Sequence, residues 1–535
     1  MSETKKTPKP ARKVTFLEAV ILFLVVVFIM LMGALKWGTA TALNLGLSAA
    51  VVGAYACFVC HIKFDDLMKE AVENVKRAFP SIFFIMIVGA VAGSWIACGT
   101  VPFLMYWGLR LINPHMLLFV TFFVLAVVSM ATGQAWSTIT SLGVAMAGVA
   151  IGLGVPIPLA AGAAVSGAFL GDKWSPISDV PALNSGISGE TTFRIFGHMM
   201  PTTGLGALIA AVLYLIVGFF FSADSVDVAL SGEMLTALEG TFNLNILVLL
   251  PLVVMLILAI FTKLPTTPVV FGSVLLAVIT GSIFQHKTII EMLNTCWSGA
   301  VISGSGSETV DKLLTKGGVS SFASLIILLL IALVFAGFLA RSGVLDALMS
   351  KMEKVINSRG SLILISSLTT VLFVWLTSSV YVSMILNYNL YLKLYNEKFN
   401  LHRINLCRTV NDCAPMFGAI CPWSNGAILA ATAFDISSWA YLPYVWACYI
   451  PIILGLIYGF VGKGKMYPTF DKQKEEELAA LGEVVAWADS KLSLPPSRLC
   501  QTSHTIKNHS RAEKRGHRSP LLCFLRPTSD ETGVG

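Results

Sequence analysis

Two short clusters combine carboxylates, hydroxyls and prolines in a chain that is otherwise largely apolar. The first, residues 171–179, reads Gly-Asp-Lys-Trp-Ser-Pro-Ile-Ser-Asp. The second runs from Arg408 through Asp412 and continues into residues 421–426, Cys-Pro-Trp-Ser-Asn-Gly. Proline removes an amide donor and frees a backbone carbonyl, so a helix unwound here would expose carbonyl oxygens beside carboxylate and hydroxyl oxygens. A hard cation such as Na+ prefers an oxygen cage of that kind.

Each cluster follows a hydroxyl-rich stretch at a similar distance. Residues 132–138, Thr-Gly-Gln-Ala-Trp-Ser-Thr, precede Asp172 by about forty positions, and residues 377–379, Thr-Ser-Ser, precede Asp412 by about thirty-five. The order of hydroxyl kink, apolar stretch and carboxylate with proline therefore occurs twice. This predicts an inverted repeat with the site at its interface, and we predict repeat-like halves over residues 80–221 and 320–461.

The elements that must position these residues are membrane helices. Of the 535 residues, 56% are hydrophobic and 13% are charged, whereas soluble domains carry about 25% charged residues. Successive apolar runs predict an all-α polytopic membrane protein with about 11–13 transmembrane or re-entrant helices, some of them broken. The net charge of +7 lies at the two ends and in connectors, which argues against nucleic-acid binding and for anchoring to membrane lipid.

Charges in the connectors predict the orientation and the domain limits. Residues 61–79 carry lysines and an arginine, which predicts a cytoplasmic connector, whereas residues 222–243 carry only acids and should be external. We predict a cytoplasmic basic N-terminus over residues 1–16, a transmembrane domain over 17–462 and a cytoplasmic, charged, disordered tail over 463–535. The predicted location is the inner, cytoplasmic membrane of the cell.

If every apolar run crossed the membrane once, connectors would alternate between the cytoplasmic and the external side, and this alternation fails in the last third of the chain. It places four basic residues outside, although their charge predicts a cytoplasmic connector; they are Lys393, Lys398, Arg403 and Arg408. At least one of the last two apolar regions, 414–434 or 441–461, is therefore predicted to be re-entrant or broken, as in transporter cores.

Structural roles compete with functional ones at these positions. Asp172 could neutralise Lys173 at a helix end, Asp179 could cap the next element, and Arg408 with Asp412 could be a helix-surface pair. Residues 57–61, Cys-Phe-Val-Cys-His, match the spacing of a haem-attachment motif. Haem is attached on the outer side and these residues are predicted to be cytoplasmic, so we expect thiols at the membrane edge and no cofactor. No phosphate-binding loop occurs, which argues against ATP-driven transport.

The first cluster resembles the GDKxSPxSD signature of NhaC-type Na+/H+ antiporters, and the second resembles the second-half signature of that family. The resemblance spans roughly residues 15–463 and implies a secondary transporter, not an enzyme, that exchanges Na+ for H+. Asp172 and Asp412 would then be the carboxylates for which the two ions compete. Further oxygen atoms for the ion would come from Ser137, Ser175, Ser178, Asp179, Ser424 and Asn425. The positive charges that balance the empty site would be Lys173 and Arg408.

A Na+- or H+-coupled organic-anion exchanger is the alternative, because some relatives in this family resemble malate/lactate–sodium antiporters. Lys173, Arg408 or Arg194 would then bind a small carboxylate near a half-helix N-terminus. Asn411 stands where an acid is common in the family, and the missing negative charge favours this alternative. A channel or receptor lacks support, because the sequence has no recognisable selectivity filter or sizeable soluble sensor domain.

Overall fold

The computed structural model describes residues 12–176, 178–220, 228–262, 264, 266–344, 347, 356–377, 379–462 and 466–469. The predicted tail over 463–535 lies outside the described residues except for 466–469, as do residues 1–11 of the basic N-terminus. Within the described part, regular structure is helical, and the sole β-type contact is an isolated antiparallel bridge between Leu401 and Thr469. The prediction of an all-α chain is confirmed.

Helix α1 begins at a capping box, in which Thr15 and Glu18 satisfy each other's backbone amides. The α-helices up to the first polar cluster are α1 Phe16–Met32, α2 Thr41–Ala54, α3 Phe64–Ala97, α4 Thr100–Leu111, α5 Leu117–Thr132, α6 Ala135–Thr138, α7 Val144–Gly152 and α8 Ile157–Lys173. The middle of the chain forms α9 Asp179–Ser188, α10 Thr192–Met199, α11 Leu205–Phe220, α12 Val228–Thr241, α13 Leu250–Phe261, α14 Thr266–Phe284, α15 Ile289–Ser298, α16 Glu308–Leu314 and α17 Ala323–Ser342.

The last part of the chain forms α18 Arg359–Thr377, α19 Val380–Lys393, α20 Ile404–Ile420, α21 Asn425–Phe434, α22 Ser438–Tyr441 and α23 Trp446–Val461. Several helices join through π-helical segments, which are Gly33–Trp37, Tyr55–Val59, Ile139–Gly143, Met200–Gly204 and Leu394–Lys398. Short 3-10 segments cover Pro114–Met116, Ile246–Leu249, Val319–Phe322 and Leu442–Tyr444.

The described helices are suited to a bilayer. Six are long and apolar enough to cross a membrane, and the number reaches ten if each of four bent pairs is one span. Two shorter apolar helices, Phe16–Met32 and Arg359–Trp375, add to these. The prediction of a polytopic membrane protein with broken helices is confirmed.

Two broken helices of equal length cross each other. Helices α8 and α20 each have 17 residues, and after a short break α9 and α21 each have 10. Ser178 and Ser424 cap the second halves, each accepting from a backbone amide of the following turn. The two broken helices run in opposite directions along each other. The second half of the first, α9, contacts the start of α20, and the start of the second half of the other, α21, contacts α8. This antiparallel arrangement supports the predicted inverted repeat.

The hydroxyl kink predicted at residues 377–379 lies at a helix boundary, since α18 ends at Thr377 and α19 begins at Val380. The Ser379 hydroxyl caps α19 by accepting from the amide of Val382 at 3.4 Å. The broken helix predicted in the last third is also present, since α20 and α21 are bent by 40°.

Helix α8 lies against α5 at a distance that only glycine permits. A Cβ atom added at Gly167 would lie 2.2 Å from the carbonyl oxygen of Phe122, and one added at Gly171 would lie 2.1 Å from that of Ala126. Small residues allow such backbone approach between membrane helices. The close contact fixes the end of α8, where the first polar cluster begins.

We expect Gly167→Ala to destabilise the protein by about 1–3 kcal/mol, because the methyl group must push two backbones apart. Thermal unfolding of the purified protein in detergent measures this effect. Gly197→Ala in α10 is the matched control, since nothing lies within 4 Å of the added Cβ and alanine is the better helix former. Equal melting temperatures for the two variants would contradict the packing argument.

Candidate functional site

A buried ion pair joins the two polar clusters. The Lys173 ammonium, at the end of α8, donates to Asp412 Oδ1 at 2.6 Å, and the two side chains are 0% and 2% exposed. Removing two charges from water is costly unless they neutralise each other. Lys173 therefore pairs with a residue 239 positions away, and the alternative that its neighbour Asp172 neutralises it does not describe this structure.

The Asp412 carboxylate is only half satisfied. The Thr203 hydroxyl also donates to Oδ1, at 2.8 Å, whereas Oδ2 is buried without a hydrogen-bond partner among the described residues. The backbone of α23 passes nearby, since a Cβ added at Gly455 would lie 3.9 Å from Oδ2. A buried acceptor left unsatisfied is costly and is suited to receive a cation or a proton.

A second incompletely satisfied carboxylate lies next in sequence to Lys173. Asp172 Oδ1 is buried and lacks a hydrogen-bond partner among the described residues. The Ser178 hydroxyl and the Asp179 carboxylate are its electrostatic neighbours. No ion pair or hydrogen bond joins Asp172 to Asp412 within the described chain, so the predicted joint role of the two carboxylates stays a prediction.

The other residues of the first cluster are partly occupied. Ser178 is the N-cap of α9 and accepts from the amide of Val180 at 3.3 Å. Asp179 is exposed and accepts a hydrogen bond from the Tyr381 hydroxyl, so Ser178, rather than Asp179, caps the helix. Ser175 is fully buried and lies in the break between α8 and α9.

Three of the predicted neutral oxygens differ in their hydrogen bonding. Ser137 Oγ and Asn425 Oδ1 are buried and lack a hydrogen bond among the described residues. Their helices, α6 and α21, contact each other and both contact α8. Ser424, in contrast, donates to the Gly418 carbonyl and accepts from the amide of Ala427, so its oxygen serves to cap α21.

The Arg408 guanidinium makes its contacts with residues outside the two polar clusters. Its guanidinium donates to the carbonyl of Met466 at 3.1 Å and stacks on the ring of Tyr467, 4.6 Å from the centroid. No ion pair between Arg408 and Asp412 occurs in the described part of the chain. The predicted surface pair is therefore not formed, and the cation beside Asp412 is Lys173.

Sequence reasoning missed Thr203. It lies in the π-helical segment Met200–Gly204, between α10 and α11. The run Pro201-Thr202-Thr203-Gly204 combines proline, hydroxyls and glycine, as the recognised kinks do, so the same criterion applied to this segment would have found it. Asn411 was noted only for its missing charge, and its amide donates to Met199 Sδ at 3.1 Å.

The sequence matches the Na+/H+ antiporter family over residues 167–463, a segment that contains both polar clusters. The chain is 32% identical over 415 residues to the malate-2H(+)/Na(+)-lactate antiporter of Bacillus subtilis, covering 78% of this chain and 88% of that protein. It is 30% identical over 419 residues to the Na(+)/H(+) antiporter NhaC of Alkalihalophilus pseudofirmus, covering 78% and 89%.

A third similar protein has a different substrate in its name. The chain is 29% identical over 472 residues to the arginine/ornithine antiporter ArcD of Halobacterium salinarum, covering 88% of this chain and 96% of that protein. The three relatives share antiport but differ in the transported molecule, so similarity alone supports the class of transport and leaves the substrate to the chemistry of the site.

Proposed function

Because the chain belongs to the Na+/H+ antiporter family, we propose that this multi-pass membrane protein exchanges Na+ for H+ across the cytoplasmic membrane. The observation that carries the proposal is the buried Lys173–Asp412 pair, whose second carboxylate oxygen lacks a partner among the described residues. Ionisable groups inside a membrane protein are costly and mark ion pathways.

Charge conservation explains how such a site exchanges the two ions. In the Na+-free state Asp172 holds a proton, and Lys173 balances Asp412. Na+ then binds to the carboxylate oxygens of Asp412 and Asp172, and Asp172 releases its proton. The net charge of the site stays the same, so neither loaded form carries an excess charge through the membrane. One site that holds either ion, but not both, produces antiport.

The state of the cations favours this proposal over organic-anion exchange. Anion binding needs a positive side chain that is not already neutralised. Lys173 is paired with Asp412, Arg194 donates to Glu190 at 2.8 Å, and Arg408 donates to a backbone carbonyl and stacks on Tyr467. Lys173 and Arg194 are thus neutralised by carboxylates, and the Arg408 guanidinium is engaged by a carbonyl and a ring.

The proposed orientation has both termini in the cytoplasm. Basic residues adjoin the membrane at Lys13 and Lys63 and between α19 and α20, in keeping with the excess of Lys and Arg in cytoplasmic connectors. The proposal also places the breaks in the two crossing helices at membrane depth, because irregular backbone at that depth lines ion sites in transporters.

Everted membrane vesicles provide the test. With a preset pH gradient, added Na+ should collapse the gradient in vesicles that contain the protein, because Na+ entry into the site releases H+. Asp172→Asn should abolish this response, since the amide neither holds a proton nor balances Na+. Fluorescence of a pH-sensitive dye measures the collapse.

Asp435→Asn is the matched control, because Asp435 is exposed and lies outside both polar clusters. We expect it to retain most of the exchange. Failure of Na+ and Li+ to collapse the gradient, together with exchange of labelled malate or lactate, would overturn the proposal in favour of anion exchange.

A further inference from the structure

Glu190 is a buried carboxylate that the exchange mechanism does not use. It follows α9 and is 5% exposed. Its two oxygens face three basic side chains: Arg194 at 2.8 Å, Arg403 Nε at 3.3 Å and His402 Nε2 at 3.5 Å. Arg194 belongs to α10, whereas His402 and Arg403 precede α20, so this carboxylate connects segments of the two crossing helices.

Backbone contacts strengthen the same connection. Arg403 Nη1 donates to the carbonyl of Ser188, the last residue of α9, at 3.0 Å. The Ser185 hydroxyl donates to the carbonyl of Glu190 at 2.5 Å and thereby fixes the connector. The end of one broken helix is thus fastened to the start of the other, on the face that the connector charges predict to be cytoplasmic.

The His402 ring has its two nitrogens engaged in different directions. Nδ1 lies 3.2 Å from the backbone amide of Ile404, the first residue of α20, and accepts its hydrogen bond. The proton of the neutral ring is therefore on Nε2, which faces Glu190. A second proton would have to occupy Nδ1 and would remove the acceptor of the Ile404 amide.

From this geometry we propose that His402 is a positioning residue, whose protonation loosens the attachment between Glu190 and the start of α20. The inference rests on the proposed function, because in it the attachment between Glu190 and the start of α20 keeps the ion pathway closed on one face of the protein. Asp412 lies about two turns along α20 from Ile404, so release of the first turn frees the segment that leads to the site.

The charges around His402 determine the sign of the effect. Glu190 supplies one negative charge, and Arg194 and Arg403 already supply two positive ones. His198 is a further neighbour of His402 and lies near Arg408. A protonated His402 adds a third cation around one carboxylate and removes the acceptor of a helix-start amide, and the proposal holds that these two effects outweigh its added attraction to Glu190.

Two more titratable groups face this cluster from other elements. Tyr388 of α19 and Cys407 of α20 are electrostatic neighbours of Glu190. Both are buried and are neutral near pH 7, so their charge does not change between pH 8 and pH 6. Histidine is the group in the cluster whose ordinary titration falls in that interval.

Hydrogen exchange of the full-length protein in detergent, without Na+, tests the proposal. After correction for the intrinsic pH dependence of amide exchange, peptides that contain residues 404–408 should exchange about fivefold faster at pH 6 than at pH 8, as expected for the loss of a hydrogen bond. His402→Asn should abolish this difference, because the Asn oxygen can accept from the Ile404 amide but takes no proton.

His61→Asn is the matched control. His61 is exposed and adopts φ 58°, a left-handed conformation that asparagine tolerates, so the wild-type pH difference should persist. Glu190→Gln provides a second measurement and should give fast exchange at both pH values, because the attachment loses its carboxylate.

A pH difference that persists in His402→Asn, or slower exchange at pH 6 in the wild type, would overturn the proposal. Exchange of Na+ for H+ is measured separately in vesicles. If the proposed role of His402 is wrong, the vesicle result is unaffected. A protein that transports no Na+ would contradict the proposed function, whatever its hydrogen exchange shows.

Discussion

Replacing Asp412 by Asn should abolish Na+-driven H+ movement. The amide cannot hold Na+ by charge, and it leaves the Lys173 ammonium buried without its counter-ion. Removing one partner of a buried ion pair costs about 3–5 kcal/mol, so we also expect a lower melting temperature. Dye fluorescence in everted vesicles measures the first effect, and thermal unfolding in detergent measures the second.

Asp435→Asn is the matched control, since Asp435 is exposed and adopts φ 56°, where asparagine is well tolerated. The double variant Lys173→Met/Asp412→Asn separates stability from transport. It removes both charges and should recover part of the stability while remaining inactive. Recovery of exchange in the double variant would indicate that the pair has a structural role alone.

Replacing Lys173 by Met should slow Na+/H+ exchange. Without the ammonium at 2.6 Å, the Na+-loaded and H+-loaded forms of the proposed site each keep an uncompensated negative charge, which is costly to carry through the membrane. Initial rates of exchange should fall by about tenfold or more, which corresponds to about 1.4 kcal/mol of added barrier. Dye recovery after addition of Na+ to everted vesicles measures these rates.

Lys312→Met, at an exposed lysine in α16, controls for loss of surface charge and should leave the rates of exchange unchanged. Unaltered rates in Lys173→Met would show that the ammonium does not balance the charge of the loaded site.

The sequence predicted the broken helices because their causes are local. Proline lacks a backbone donor and serine is a preferred N-cap of a new helix, and both occur directly after α8 and again between α20 and α21. The interruption between Thr377 and Val380 coincides with the hydroxyl kink predicted at residues 377–379, but the prediction did not say that a new helix begins there. Hydroxyls can bond to the preceding turn of a helix or cap a new one, and sequence alone does not distinguish these outcomes.

Which side chain meets Asp412 was decided by tertiary packing. The sequence suggested three charged residues that could lie beside Asp412. Arg408 is four positions before it, and Asp172 and Lys173 belong to the other polar cluster. Successive residues of a helix point about 100° apart, so Asp172 and Lys173 leave the end of α8 in different directions, and Lys173 is the one hydrogen-bonded to Asp412. The close approach of α8 to α5 at Gly167 and Gly171 sets that rotation, and it directs Lys173 to the carboxylate.

The sequence by itself determined that the chain lies in a membrane, that its helices break at two polar clusters and that carboxylates stand at both. The tertiary structure decided the pairing of Lys173 with Asp412, the contribution of Thr203, and the attachment of Glu190 to His402 and Arg403. Local composition fixes where backbone hydrogen bonding fails, whereas contacts between residues some 200 positions apart depend on the rotation and depth of packed helices.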